Sequence, residues 1–207
     1  MLRESLRTSL AHVGQALREP EDFTLAWHQH AAEYQPAVWL ALGLTAVAGT
    51  LSYGMTMGIG LGARAIIEKA ALLTLAAGLA WAIPLPALYI LRSMAGSRLR
   101  ASTTLLAALV TTSWGGLALI ASVPIHGFFR VAIPAQAPEL FSPTTAEHIV
   151  LAVNLLVFCG VGLSMVDVFL RVITSVEPRA AGQPVWFPML IGIIGGELFL
   201  LFGLFAW

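Results

Sequence analysis

The residue best placed to do chemistry is Glu197, a lone carboxylate in the apolar run Pro184 to Trp207, PVWFPMLIGIIGGELFLLFGLFAW. A charge in hydrocarbon is costly, so such a group needs a partner, a proton or a water-lined cavity. Carrying a proton, it can join helices by hydrogen bonds. Without one, it can bind a cation, relay a proton or meet a polar headgroup. Polar groups of two other apolar runs are available at its level. Counted from the entry of each run at about 1.5 Å per residue, Thr50, Ser52 and Tyr53 of one run fall near the bilayer midplane. So do Thr111, Thr112, Ser113 and Trp114 of another. The candidate polar site is therefore Glu197 with Tyr53, Ser52, Thr50 and Ser113, and Glu197 is expected to face protein rather than lipid. Helix joining is its preferred role, because hydroxyls are common interhelix glue. The sharper alternatives are an ion site or contact with a partner subunit.

Other constellations are incomplete. His28 and His30 are two apart, which points them to different faces of a helix, and no cysteine or third clustered histidine completes a metal set. His126 and His148 fall at the edges of apolar runs, so a bis-histidine haem is not expected. Gly162-Leu163-Ser164 resembles a fragment of an intramembrane serine protease pattern, but no histidine follows to act as base. No HExxH, phosphate-binding loop or dinucleotide fingerprint occurs. Asp167 and Arg171 are four apart and can pair on one helix face. The expectation is a non-enzymatic chain without metal or cofactor.

These residues must be held by membrane helices. Of 207 residues, 58% are hydrophobic and 11% charged, against about 25% charged in a soluble domain. With repeated apolar runs, that deficit means an all-α, polytopic membrane protein. The formal net charge is zero, so no basic field suggests nucleic acid. Ten of the eleven basic residues are arginine, a bias that fits a GC-rich bacterial genome and hence a bacterial cytoplasmic (inner) membrane. Cys159 is the single cysteine, which allows no internal disulfide. The first twenty residues lack the continuous apolar core of a signal peptide.

Residues 1–36 read as a cytoplasmic amphipathic arm. Leu2, Leu6, Leu10, Val13 and Leu17 recur at helical spacing before Pro20. A second short helix over 21–35, with Asp22 as its N-cap, precedes Pro36. The arm can lie in the headgroup layer, on a partner or on the bundle's inner face, with docking preferred. Five spans follow over 37–207, at about 37–61, 69–91, 102–125, 148–170 and 184–207, each near the roughly 20 residues that cross a bilayer. Between the third and fourth lies an outer, Pro-rich loop, 126–147. With the N-terminus inside, the inner segments hold eight basic residues and the outer loops three. That imbalance predicts N-in, C-out.

Gly54, Gly58 and Gly62 in span 1, and Gly192 and Gly196 in span 5, repeat every four residues, a pattern that lets helices approach closely. They can pack spans 1 and 5 together or face another subunit. Pro84 and Pro86 remove two backbone donors from span 2, which predicts a kink, static in the plainer reading and a gating hinge in the sharper one.

The cytoplasmic arm, five closely spaced spans, outward C-terminus and the Tyr53-Gly54 pair late in span 1 together resemble the Yip family of small five-span membrane proteins. The likeness is one of topology; the Asp-Leu-x-Gly-Pro signature of that family is absent here. It implies a five-helix membrane domain in proteins associated with membrane trafficking. Two functions are compatible with the residues. One is a non-enzymatic membrane subunit or scaffold in contact with lipid and with other subunits or copies of itself. The other is a small carrier or channel component using Glu197 as a proton or cation site.

Overall fold

The computed structural model describes residues 11–94, 96–140, 143–178 and 186–204. Side chains are described within these ranges except at 134–140, 143, 144, 146 and 186–189. Eight helices follow in order: α1 (11–18), α2 (Pro20–His28), α3 (Pro36–Met57), α4 (Ala63–Ala82), α5 (Pro84–Met94), α6 (Ala101–Leu140), α7 (Pro143–Val176) and α8 (Trp186–Leu201). No strand occurs among the described residues. Four stretches are long and apolar enough to cross a membrane: Pro36–Met57, Ala63–Met94, Ala101–Ile133 and Glu147–Val176. Leu190–Leu201 is a shorter apolar helix.

Prolines punctuate the chain without ending it. Pro20 and Pro36 open α2 and α3 in the first turn, where a missing N–H costs nothing because that donor has no intrahelical acceptor. Glu19 is the N-cap of α2, and Asp22 lies inside its first turn beside Glu21. There, both carboxylates meet the positive end of the helix dipole. Asp22 is therefore not the cap that its position after Pro20 suggests. In the second span, the amide of Ile83 still reaches Leu79 O at 3.0 Å. Pro84 and Pro86 then withhold the next donors, and the helix is divided into α4 and α5 at Ile83.

The segment expected as an outer loop, 126–147, is instead helical at both ends. α6 continues to Leu140 and α7 begins at Pro143. Proline excludes itself from a helix interior only by its missing donor and a clash one turn back; its fixed φ is helical. The residues between Pro134 and Pro138 are apolar or amide types that accept a helix. At about 1.5 Å per residue, the 40-residue α6 is roughly twice the thickness of a hydrocarbon core, about 30 Å.

α3 and α6 run parallel and form the centre of the bundle. A Cβ added at Gly49 would overlap the Gly116 backbone, and one at Gly116 would come within 2.8 Å of Ala46 Cα. The backbones thus touch, and Ser113 Oγ beside the crossing shares its proton between Leu42 O (2.7 Å) and Leu109 O (2.6 Å). On another side of α3, Gly54 and Gly58 abut α4. A Cβ on Gly54 would lie 2.6 Å from Ala70 Cα, and one on Gly58 would overlap Ile66. The span 1 stripe therefore packs on α4, not on the last helix. Gly62 has no atom within 4 Å of an added Cβ; its φ of +97° makes the turn into α4. Gly192 and Gly196 also meet nothing.

The arm docks on the bundle itself. Val13, Ala16, Phe23 and Tyr34 are buried with Val38, Leu42, Leu106 and Val110. Phe23 stacks on Tyr34 at 4.0 Å, and Trp27 meets Trp39 edge-on at 5.4 Å. Leu2, Leu6 and Leu10 lie outside the described residues. Replacing Gly49 by leucine is expected to cost about 3 kcal/mol of stability, since backbone rather than a movable side chain stands in the way. Replacing Gly192 should cost little. Thermal unfolding of the two detergent-solubilised variants checks this difference.

Candidate functional site

The polar residues of α3 turn to different neighbours. Thr50 Oγ1 lies 3.0 Å from Thr74 Oγ1 on α4. Ser52 is half-buried and donates to its own helix at Ala48 O, 2.7 Å away. Tyr53 is fully buried, and its hydroxyl donates to Asn154 Oδ1 on α7 at 2.9 Å. One turn later, Thr56 Oγ1 donates to Tyr53 O at 2.6 Å and lies 2.9 Å from His126 Nδ1 on α6. The Tyr53 and His126 rings are 5.1 Å apart, and Phe158 packs edge-on against Tyr53 at 5.4 Å.

Proton counting favours one histidine tautomer. A threonine hydroxyl has one proton, and that of Thr56 goes to Tyr53 O. The contact with His126 must then be donated by Nδ1–H, which leaves Nε2 as an acceptor. Nε2 is buried and meets no hydrogen-bond partner among the described residues, and the same is true of Asn154 Nδ2, a donor. Both residues have no exposed surface. The cluster Tyr53, Thr56, His126 and Asn154 therefore ties α3, α6 and α7 together and keeps one acceptor and one donor in reserve.

Glu197 does not belong to this cluster. It is exposed on α8 and no described residue hydrogen-bonds or pairs with it. The expectation that it faces the protein interior, beside Tyr53, Thr50 and Ser113, does not hold in this fold. The rotation of α8 is set by its bulky and small residues. A Cβ added at Gly195 would lie 3.6 Å from Ala80 Cβ, Phe199 meets Phe158 at 4.8 Å, and Leu198, Phe202 and Leu204 join the core around Tyr53 and Leu73. With those positions inward, Glu197 points away. Asn154 and His126 were within reach of sequence reasoning, since each is a strongly polar side chain inside a helix-forming apolar stretch. Reading 126–147 as a surface loop puts His126 at the membrane edge, and Asn154 falls near the outer end of span 4.

A second polar assembly closes the end of the bundle that carries the arm. Arg100 Nη2 donates to Trp27 O (3.3 Å) and His28 O, the last carbonyls of α2, while Nη1 lies 2.8 Å from His30 Nε2. A guanidinium only donates, so His30 Nε2 accepts. His30 has φ +56°, a left-handed conformation rare outside glycine. His28 Nδ1 meets Thr103 Oγ1 at 3.2 Å, so the two histidines serve separate partners. Nearby, the Glu177 carboxylate accepts from Arg92 Nη2 (3.0 Å), Ser97 Oγ (2.7 Å) and the Arg98 amide (3.3 Å). Arg171 pairs with Asp167 at 3.0 Å, as their spacing predicts, and with Glu21 of the arm.

The class defined here is an all-helical protein whose membrane-length helices are joined by buried hydrogen bonds and whose amphipathic arm is clamped to one end. Comparison of the chain with protein-family models, with curated proteins and with solved structures finds no match.

Removing the Tyr53 hydroxyl leaves Asn154 unmet on both sides of its amide. Tyr53→Phe is expected to destabilise by about 1–3 kcal/mol, the cost of an unsatisfied buried polar group. Asn154→Leu in the same background should recover part of that loss, which a double-mutant cycle on chemical or thermal unfolding measures.

At the arm end, burial pushes the Glu177 carboxyl up, but the hydrogen bonds from Ser97, Arg98 and Arg92 outweigh it and hold the group below its ordinary value. Burial, with Arg100 beside it, lowers the His28 imidazole, against an opposing pull from Glu177. Both groups favour their deprotonated form in the folded chain. The stability they contribute is complete above their unfolded values and is lost as pH falls, through His28 below about 6.5 and then Glu177 below about 4.3. Melting temperatures between pH 7 and pH 3.5 should fall, and Glu177→Gln should start lower at pH 7 and show a shallower acid limb.

Proposed function

We propose that this chain is a non-enzymatic integral membrane subunit, seated in a bacterial cytoplasmic membrane with its arm inside and α8 as a fifth span ending outside. The observation that carries the reading is Glu197, a carboxylate on the outward face of an apolar helix with no partner among the described residues. Such a group in hydrocarbon calls for a protein neighbour, and here the neighbour must come from outside the bundle. The arm offers no comparable surface, because the apolar side of its described part is consumed within the chain. The carrier reading would need Glu197 to line an internal path, which an outward position does not favour.

The charge distribution supports the orientation. The structure gathers Arg92, Arg98, Arg100 and Arg171 at the end where the arm docks, and cationic ends face the cytoplasm. The five-span, Yip-like topology is kept as part of this proposal. Solubilised under mild, lipid-preserving conditions, the wild-type protein is expected to run in an assembly larger than one chain, and Glu197→Leu to release it. A wild-type protein that runs as a lone chain under those conditions would remove the subunit reading. A phosphatase reporter fused after Trp207 should be active only outside; activity confined to a fusion ahead of the arm would reverse the orientation.

A further inference from the structure

We infer that the arm is a strap with two seats: the arginine-bearing end of the bundle while its histidines are neutral, and an anionic lipid surface once they are protonated. The inference goes beyond the subunit reading and does not depend on Glu197. It begins from charge. Residues 1–36 carry three arginines and five carboxylates, a side-chain charge of −2 with neutral histidines. Three of the chain's five histidines, His12, His28 and His30, fall in the same stretch, and protonating them brings its charge to +1. The end of the bundle that receives the arm presents Arg92, Arg100 and Arg171. An acidic arm suits that end. A cationic arm is repelled by it and drawn to anionic headgroups.

The docked contacts call for neutral histidines. A guanidinium only donates, so the 2.8 Å contact from Arg100 Nη1 exists only while His30 Nε2 keeps its lone pair. His28 stands among Thr103 of α6, Arg100, and Glu177 at the end of α7. The Glu177 carboxylate is already engaged by Arg92 of α5, Ser97 and the Arg98 amide, and burial together with Arg100 outweighs its pull on His28. His12 packs edge-on to Tyr34 at 5.6 Å. On α7, Arg171 is shared between Glu21 of the arm and Asp167. Docking also carries burdens that release relieves. Thr24 Oγ1 and Trp27 Nε1 are buried without a hydrogen-bond partner among the described residues, and His30 is held at φ +56°. In a headgroup layer both polar atoms meet water, while Phe23, Trp27 and Tyr34 stay covered, because an amphipathic helix and its aromatic rings favour that depth.

The test uses the full chain in vesicles of phosphatidylcholine, with or without phosphatidylglycerol. Gln29→Cys on the arm and Met94→Cys at the end of α5, both exposed positions, carry spin labels in a Cys159→Ser background, and pulsed electron resonance reads their separation. At pH 7.5 one docked distance is expected in both lipids. At pH 5.5 histidine ordinarily carries its proton while carboxylates stay charged. There the docked fraction should fall at least about 10-fold in the anionic vesicles, since one pKa unit between the two seats of a single histidine is a factor of ten. Helix content should not change. The combined His12→Gln, His28→Gln and His30→Gln variant keeps a donor and an acceptor at each position and should stay docked at pH 5.5. A separation indifferent to pH in anionic vesicles, release accompanied by loss of helix, or equal release of the glutamine variant would overturn the strap. Equal release in phosphatidylcholine alone would overturn the anionic surface as its second seat, and that comparison of lipids needs no histidine variant.

Discussion

The contact between the α3 and α6 backbones at Gly49 and Gly116 is the constraint to which the other helices are fitted. Between helices in lipid there is no difference in apolar surface to drive association, so packing distance and hydrogen bonds must do the joining. Bare backbone at this crossing brings the two helices close enough for Ser113 to reach the Leu42 carbonyl. Further along the same pair, Thr56 reaches His126. With α3 held there, its two remaining useful sides are committed. One receives α4 against Gly54 and Gly58, and the other sends Tyr53 to Asn154 of α7. α8 is the outermost addition, seated on α4 and α5 by side chains rather than by backbone contact.

The polar groups show how sparingly such a bundle uses its hydrogen bonds. Most membrane hydroxyls are satisfied by the carbonyl three or four residues back in their own helix, as at Thr45, Ser122 and Ser175. Only a few cross between helices: Thr50 to Thr74, Ser113 to Leu42, and the Tyr53–Asn154 and Thr56–His126 contacts where three helices meet. The unmet nitrogens of His126 and Asn154 occur at the same place. Geometry that brings three helices together around one tyrosine leaves little freedom to satisfy every atom, and the shortfall falls on side chains with two functional nitrogens or an amide group.

Hydropathy alone identified the four long apolar helices, because length and composition decide whether a segment can cross a bilayer. Depth could also be counted, and Glu197 does lie at a helix position flanked by residues that reach the Tyr53 core. Azimuth could not. In a soluble helix the apolar side marks the core, but in α8 both sides are apolar, so periodicity carries no signal about which way residue 197 turns. The 126–147 segment failed for another reason. Proline suggests a chain break because it lacks a donor, but its fixed φ is helical. The loop reading puts His126 at an outer edge, while Asn154 stands near the outer end of span 4, so the cluster they form with Tyr53 and Thr56 stays hidden. Gly49 and Gly116 were missed because they belong to no four-residue repeat; each works alone against a partner far away in sequence.

The clamp made by Arg100 also orders events in time. The carbonyls it holds belong to residues 27 and 28, and Glu21 in the same helix waits for Arg171. The arm precedes the spans in the chain, and its anchoring groups are made some 70 and 150 residues after it. Phe23, Tyr34 and Trp27 pack against Val38, Leu42, Leu106 and Val110, so their cover is complete only once α6 has been made. A docked arm is thus a mark that the helices following it in the chain have assembled.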